Sequence, residues 1–175
     1  MPSSPLSLRQ AATLLGVDSH VLGVGNAPTP FSAAEIRDGC PAGRSIRLRV
    51  EPEDGVPFER GITFVEVDEE GAVQEVRLFD LAGRQLGEPD THRSTWLELQ
   101  QHASFPTNLT SVRATALDLP FGRFECMHYV VRTDDGADHF WFAHDLPGMP
   151  VRYESRRGAA VTSSTVMVSN EVRRD

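Results

Sequence analysis

The sequence predicts an α+β protein that is mainly β, built on one highly curved antiparallel sheet of about eight strands, either a half-barrel or an open barrel. Apolar and polar residues alternate with a period of two from residue 45 onward, as in half-buried strands. The connections between these segments are short and rich in glycine, proline and aspartate, which leaves no room for parallel crossovers. One amphipathic helix, at about residues 95–104, interrupts the strands and can pack on the sheet.

Composition and charge limit the classes of protein that this chain can belong to. The chain has 175 residues and ordinary hydrophobic content, which predicts a single β-rich domain over residues 31–175, preceded by a helical arm and linker over residues 1–30. The net charge of −8 argues against binding to nucleic acid or to an anionic membrane. All 17 basic residues are arginine, which excludes chemistry that needs a lysine Schiff base.

Two short helices are expected before the sheet. Leu8–Leu15 places its apolar residues on one face, and Asn26–Pro30 has the composition of a linker. Ser32 is placed to cap a second helix, Ala33–Asp38, and Glu35 at its third position completes a capping box.

Three strands are predicted between this second helix and the interior helix. In the second of them, Ile62 and Phe64 face one way while Val65 and Val67 face the other, which indicates either a bulge or a strand that is covered on both sides. The polar stretch Gly87–Arg93 carries no strand signal. The predicted strands are Ser45–Glu51, Phe58–Asp68 and Ala72–Phe79.

The interior helix, Thr95–Ser104, has the clearest helical periodicity in the chain, and Pro106 prevents its continuation. His92 and His102 flank this helix and are candidates to reach a cleft between helix and sheet. The apolar face consists of Trp96, Leu99, Gln100 and Ala103.

Antiparallel patterning resumes after the helix and continues to the end of the chain. Thr133–Gly136 reverses the chain within a central hairpin, and the corner Leu146–Pro150 is expected to turn about Gly148 with a positive φ. We expect this corner to be structural. The predicted strands are Leu109–Leu119, Arg123–Arg132, Ala137–His144, Val151–Ser155 and Val161–Val172.

The region 108–172 resembles bacterial half-barrel proteins of the periplasmic lipoprotein-carrier type and related domains of unknown function. The residues that carry the resemblance are the strand entry LPFGRFEC, the aromatic strand HFWFAHD and the corner PGMPV. The resemblance implies an open half-barrel covered by a helix. The chain departs from these carriers because it begins with neither a secretory signal nor a lipid-attachment cysteine, so carrier function is not transferred and a cytoplasmic location is expected.

The concentration of aromatic residues on the central hairpin, beside the interior helix, predicts an apolar binding site. Packing of a hydrophobic core is the alternative explanation for the same residues. The candidate ligand-binding residues are Trp96, Leu99, Phe124, His128, Phe140, Trp141 and Phe142.

A second candidate site depends on how the strands of the hairpin pair. If Arg132 lies opposite Asp138, then Cys126 lies opposite His144, and the two share a face with His128. Such a set could ligate zinc or copper, or form a thiol–imidazole nucleophile pair. A shift of one residue in the register would separate these side chains.

The function expected from the sequence is non-enzymatic binding of an apolar small molecule or a protein partner on the curved sheet. The alternative is an enzyme or metal-binding protein that uses Cys126, His128 and His144. No phosphate-binding glycine loop, nucleophile elbow or dinucleotide-binding motif is present, so no cofactor is predicted. The sequence does not predict the oligomeric state.

Overall fold

The structure is a computed structural model that describes residues 18–173, so the predicted helix Leu8–Leu15 lies outside the described residues. Within residues 18–173, neither helix is long or apolar enough to span a bilayer. The helices are α1 (Ala33–Gly39) and α2 (Trp96–Gln101), and Thr107–Leu109 form one 3₁₀ turn. The strands are β1 (Arg44–Glu51), β2 (Phe58–Val67), β3 (Gly71–Phe79), β4 (Gln85–Thr95), β5 (Thr110–Leu119), β6 (Gly122–Arg132), β7 (Gly136–Ala143), β8 (Arg152–Arg157) and β9 (Ala160–Val172).

All nine described strands form one antiparallel sheet in the order β4-β3-β2-β1-β9-β8-β7-β6-β5. The sheet is not closed, since β4 and β5 are its two edges. The chain builds β1–β4 outward in one direction, crosses to the other edge, and returns strand by strand from β5 to β9 beside β1. The predicted fold class, a mainly β protein with an open antiparallel sheet and a helix packed on it, is confirmed.

Both helices begin with the capping boxes that their sequences encode. The Ser32 hydroxyl accepts the Glu35 backbone N–H at 3.3 Å, and the Glu35 carboxylate accepts the Ser32 N–H at 2.7 Å. Thr95 and Glu98 make the same reciprocal bonds at the start of α2. Such caps stabilise helices of seven and six residues, which are too short to form alone.

The alternating residues of β1 and β2 place one apolar face of the sheet beneath the helices, and we call this the covered face. Ile46 and Leu48 of β1, and Ile62 and Phe64 of β2, are all buried on it. The register between β2 and β3 shifts between Phe64 and Glu66, so of the two explanations for the mixed pattern in this strand the structure shows the bulge.

The strand β4 was not predicted from the sequence, and it is the reason that the sheet has nine strands. Its eleven residues, QLGEPDTHRST, are mostly exposed and include no apolar alternation. The strand exists because its backbone pairs with β3, from Thr95 opposite Gly71 to Gln85 opposite Phe79. Polar, charged residues and a proline suit an edge strand because they discourage pairing with another chain.

The segment predicted as a linker, Asn26–Pro30, packs against its own domain. The Ala27 N–H donates to the Phe105 carbonyl at 2.8 Å. The Tyr129 hydroxyl donates to the Pro28 carbonyl at 2.7 Å. The end of the N-terminal arm is therefore held between the chain after α2 and strand β6.

The corner between β7 and β8 turns about Gly148, whose φ of 120° confirms the expected positive value. A Cβ added to Gly148 would lie 3.4 Å from Cys40 Sγ and 3.7 Å from Arg44 Nη1. The corner thus packs against the end of α1 and the start of β1. Both distances are ordinary van der Waals contacts, so the backbone conformation, not a lack of space, requires glycine there.

Replacement of Gly148 by valine should destabilise the protein. We expect Gly148→Val to lower the free energy of unfolding by about 1–3 kcal/mol, because a β-branched residue is strained at this φ. Urea denaturation followed by circular dichroism measures the change. Ala82→Val, at an exposed turn residue without a positive φ, is the control, and equal stability of both variants would contradict the assignment.

Candidate functional site

A cavity of about 420 Å³ lies between the two helices and the covered face. Residues from α1, α2, the strands β1–β4 and β7, and the corner after β7 all contribute to its wall. The cavity is lined by Ile36, Cys40, Arg44, Ile46, Arg60, Ile62, Phe64, Gln74, Val76, His92, Ser94, Leu99, His102, Ala103, Phe140, Phe142, Gly148, Met149 and Pro150.

The roof of the cavity is held in place by one buried amide side chain, that of Gln100 in α2. Its Nε2 donates to the Ser19 carbonyl at 2.8 Å and to the Thr29 hydroxyl at 2.9 Å. Its Oε1 accepts the Ala33 N–H at the start of α1, also at 2.9 Å. A single side chain therefore joins both helices to the N-terminal segment, and its three hydrogen bonds offset the cost of burying the amide.

A buried arginine, Arg44, forms part of the cavity wall at the start of β1. Only 2% of the residue is exposed. Its Nε donates to Asn170 Oδ1 at 2.8 Å, and its Nη1 donates to the Pro147 and Gly39 carbonyl oxygens at 2.6 and 3.1 Å. These bonds tie α1 and the corner to the sheet. Its Nη2 has no hydrogen-bond partner among the described residues.

The thiol of Cys40 lies beside this guanidinium, 3.0 Å from Arg44 Nη1. Burial raises the pKa of Cys40, and the neighbouring positive charge of Arg44 only partly opposes that effect. The cysteine is therefore a neutral, packed thiol at neutral pH, unlike the activated thiolates of catalytic cysteines.

Three of the seven sequence-predicted ligand residues, Leu99, Phe140 and Phe142, line the cavity. The other four do not. Trp96 is buried in the core and donates from Nε1 to the Asp68 carbonyl at 2.9 Å. The remaining three lie on the opposite face of the sheet. Trp141 alternates with Phe140 and Phe142 along β7, His128 pairs with Trp141, and Phe124 is in phase with His128 along β6.

The register assumed for a metal site is wrong by one residue. Arg132 lies opposite Ala137, so four residues rather than five close the turn, and Cys126 pairs with Ala143 instead of His144. His144 follows the end of β7 and is exposed, whereas Cys126 is buried. Among residues 18–173, no group of three histidine, cysteine or acidic side chains is placed to hold a metal ion.

The register instead builds a buried polar cluster on the opposite face of the sheet. His128 stacks on Trp141 with 4.2 Å between ring centroids, and its Nε2 lies 3.0 Å from His139 Nδ1. Arg113 Nε donates to His128 Nδ1 at 3.1 Å, which assigns the ring proton to Nε2, so His128 donates to His139.

Glu154, which is 1% exposed, carries the negative charge of this cluster. Arg152 Nε donates to one of its carboxylate oxygens at 2.7 Å, and Arg156 Nε donates to the other at 2.9 Å. Burial alone would raise the pKa of Glu154, but the hydrogen bonds from Arg156 and Arg152 hold it below its ordinary value. The two arginines lie over the carboxylate and shield it from solvent.

Sequence reasoning missed the polar residues of the cavity wall, above all Arg44 and Arg60. A signal for them exists, because each arginine is in phase with the buried residues of its own strand. Arg44 precedes Ile46 by two residues, and Arg60 precedes Ile62 by two. An arginine on the apolar face of a strand is unusual and marks a candidate site. His92 and His102, which were expected to reach a cleft, both line the cavity.

No protein-family model matches the chain, and it has no significant match among curated proteins. Among solved structures, it is similar to one described as the crystal structure of MucB, with a TM-score of 0.53 and 7% sequence identity. The match covers 78% of this chain but only 56% of the MucB chain, so this chain spans less than two thirds of its length. At this identity the likeness concerns the fold alone. It supports, at the level of the fold alone, the half-barrel that the sequence indicated.

The histidine cluster should make stability depend on pH. Burial, reinforced by the positive charge of Arg113, lowers the pKa of His128 to about 4. An unfolded histidine titrates near about 6.5. Between these values only the unfolded state binds the proton, so stability present above pH 6.5 is lost as the pH falls towards 4. Burial lowers the pKa of His139 as well, in the same direction.

His128→Gln should therefore reduce the loss of stability between pH 6.5 and 4, because one of the responsible groups is gone. Urea denaturation of both proteins at several pH values gives the slope. The matched control is His144→Gln, at the exposed histidine that follows β7. A slope that His128→Gln leaves unchanged would mean that His128 takes up its proton in the folded state too.

Proposed function

We propose that this domain is a non-enzymatic binding protein that holds an apolar small molecule in the cavity between the helices and the covered face. The observation that carries the proposal is the cavity of about 420 Å³ itself, with its wall of aliphatic and aromatic side chains. This volume falls within the range of about 300–1,000 Å³ that is typical of small-molecule sites. A packed core would leave no space of this size.

The arrangement of the wall is that of a preformed ligand site. Phe140 and Phe142 supply a flat aromatic floor from β7, and their rings stack at 6.3 Å between centroids. Leu99 of α2 and Met149 of the corner enclose the cavity from other sides. The fold-level likeness to MucB and to carrier-type domains is compatible with such a role, since an open sheet covered by helices can enclose an apolar guest.

The enzymatic alternative receives less support from the geometry. Burial raises the pKa of Cys126 to about 11, so its thiol is protonated at neutral pH and a poor nucleophile. Its Sγ donates to the Phe124 carbonyl instead of to an imidazole. The cytoplasmic location remains a proposal of the same kind and rests on the sequence alone.

Obstruction of the cavity should weaken the binding of an apolar ligand without unfolding the protein. Leu99→Trp places an indole in the cavity, and we expect it to raise the Kd for the neutral apolar dye Nile red about tenfold or more, a loss of at least about 1.4 kcal/mol. Dye fluorescence measures the affinity, and thermal denaturation checks the fold.

The control variant is Leu97→Trp, which makes the same change two residues away on the same helix, where the side chain is 48% exposed and outside the cavity. It should bind the dye as the unmodified protein does. Equal dye binding by both variants, or no saturable binding by the unmodified protein, would refute the proposal.

A further inference from the structure

The polar side chains that line the cavity are arginines, histidines and uncharged groups. Arginine and histidine side chains contribute to the wall, and none of the described residues that line it is an aspartate or a glutamate. This is unexpected in a chain with 25 acidic and 17 basic residues. The ionisable groups other than the Cys40 thiol are Arg44, Arg60, His92 and His102.

The buried member of this set, Arg44, has no acidic partner among residues 18–173. The four groups that its Nε and Nη1 contact are two backbone carbonyls, one amide oxygen and one thiol. Elsewhere in the described chain, the buried charge of Glu154 is matched by two arginines. Burying a guanidinium without a counter-charge costs several kcal/mol unless an anion compensates it.

The Nη2 atom of Arg44 is a second indication that an anion binds beside this residue. A guanidinium nitrogen can donate to a carboxylate or phosphate oxygen, and Nη2 is the one nitrogen of Arg44 that is buried with no hydrogen-bond partner among residues 18–173. Since residues 18–173 supply no anion beside it, an anionic group of a ligand in the adjoining cavity would compensate its charge.

Further arginine and histidine side chains line the cavity along the covered face. Arg60 of β2 is partly exposed and lies opposite Leu48, further along the same face from Arg44. His92 of β4 lies 3.1 Å from Gln74 Oε1 and is exposed at the rim. These groups are placed to attract an anion to the cavity before Arg44 holds it.

We propose that the ligand is a single-chain amphiphile with an anionic headgroup, whose chain lies among the apolar residues of the cavity and whose headgroup is bound by Arg44. This inference rests on the proposed function and specifies its substrate class. The cavity of about 420 Å³ lies towards the small end of the usual range for ligand sites, which favours one acyl chain over two. The headgroup is a carboxylate, as in a fatty acid, or a phosphate, as in a lysophospholipid.

The test compares the affinities of an anionic ligand and its uncharged methyl ester. The affinities are measured from the displacement of Nile red. Dodecanoate should bind about tenfold to a hundredfold more tightly than methyl dodecanoate, the range expected when a hydrogen bond to a charged group is lost. Dodecanoyl lysophosphatidic acid is measured beside them to distinguish a phosphate headgroup from a carboxylate headgroup. Tighter binding of the phosphate indicates a lysophospholipid, and tighter binding of the carboxylate indicates a fatty acid; both outcomes support an anionic ligand.

Variants then assign the headgroup to its residue. Arg44→Met should remove most of the preference for dodecanoate over its ester, and Arg60→Met should reduce it less. Arg84→Met removes the same charge from a side chain that is 80% exposed at the far end of the β3–β4 hairpin, and it should leave the preference unchanged. Because Arg44 also ties α1 to the corner, the ester comparison on the unmodified protein keeps the test valid if Arg44→Met fails to fold.

The two proposals fail in different ways. Equal displacement of Nile red by dodecanoate and its ester would overturn the anionic ligand while leaving apolar binding in place. An unchanged preference in folded Arg44→Met would overturn the role of Arg44. Absence of saturable dye binding together with no response to any of the three ligands would overturn the proposed function itself.

Discussion

A nine-stranded open sheet has one long apolar face that must be covered, and the described helices, with seven and six residues, are too short to cover it. The constraint follows from the hydrophobic effect, since an apolar face left in water is unfavourable in proportion to its area. The helices cover the apolar face only in part, and a space remains between their side chains and those of the sheet. The cavity is a consequence of this mismatch.

Two buried polar side chains keep the helices above the sheet instead of letting them collapse onto it. Gln100 joins both helices to the N-terminal segment, and Arg44 joins the end of α1 to the corner and to β9. Directional hydrogen bonds resist closure of the space in a way that apolar contacts do not. The amide is fully satisfied, whereas Nη2 of the guanidinium has no hydrogen-bond partner among residues 18–173, and Arg44 contributes to the cavity wall. The same residue therefore has a structural role and the capacity to bind an anion.

The sequence predicts the parts of the fold whose signals are local. Alternation specifies β1 and β2, the capping box at Ser32 specifies the start of α1, and a change of phase indicates that β2 is irregular. It does not predict β4, an edge strand whose backbone pairs with β3. It does not predict the register of the central hairpin either, because that register changes with the addition of one residue to the turn. The density of aromatic residues predicts which hairpin contributes to the cavity but not which face of that hairpin does so. Phe140 and Phe142 line the cavity, whereas His128 and Trp141 lie on the opposite face.

The most direct test of a ligand in this cavity uses the distribution of methyl groups in the chain. All three isoleucines, Ile36, Ile46 and Ile62, line the cavity, as does Met149, whereas Met127 does not. Methyl NMR spectra of protein labelled at isoleucine and methionine can be recorded while dodecanoate is added. The account predicts saturable shifts of all three isoleucine signals and of Met149, with Met127 little changed. Shifts confined to Met127, or no saturable shift of any isoleucine, would contradict it.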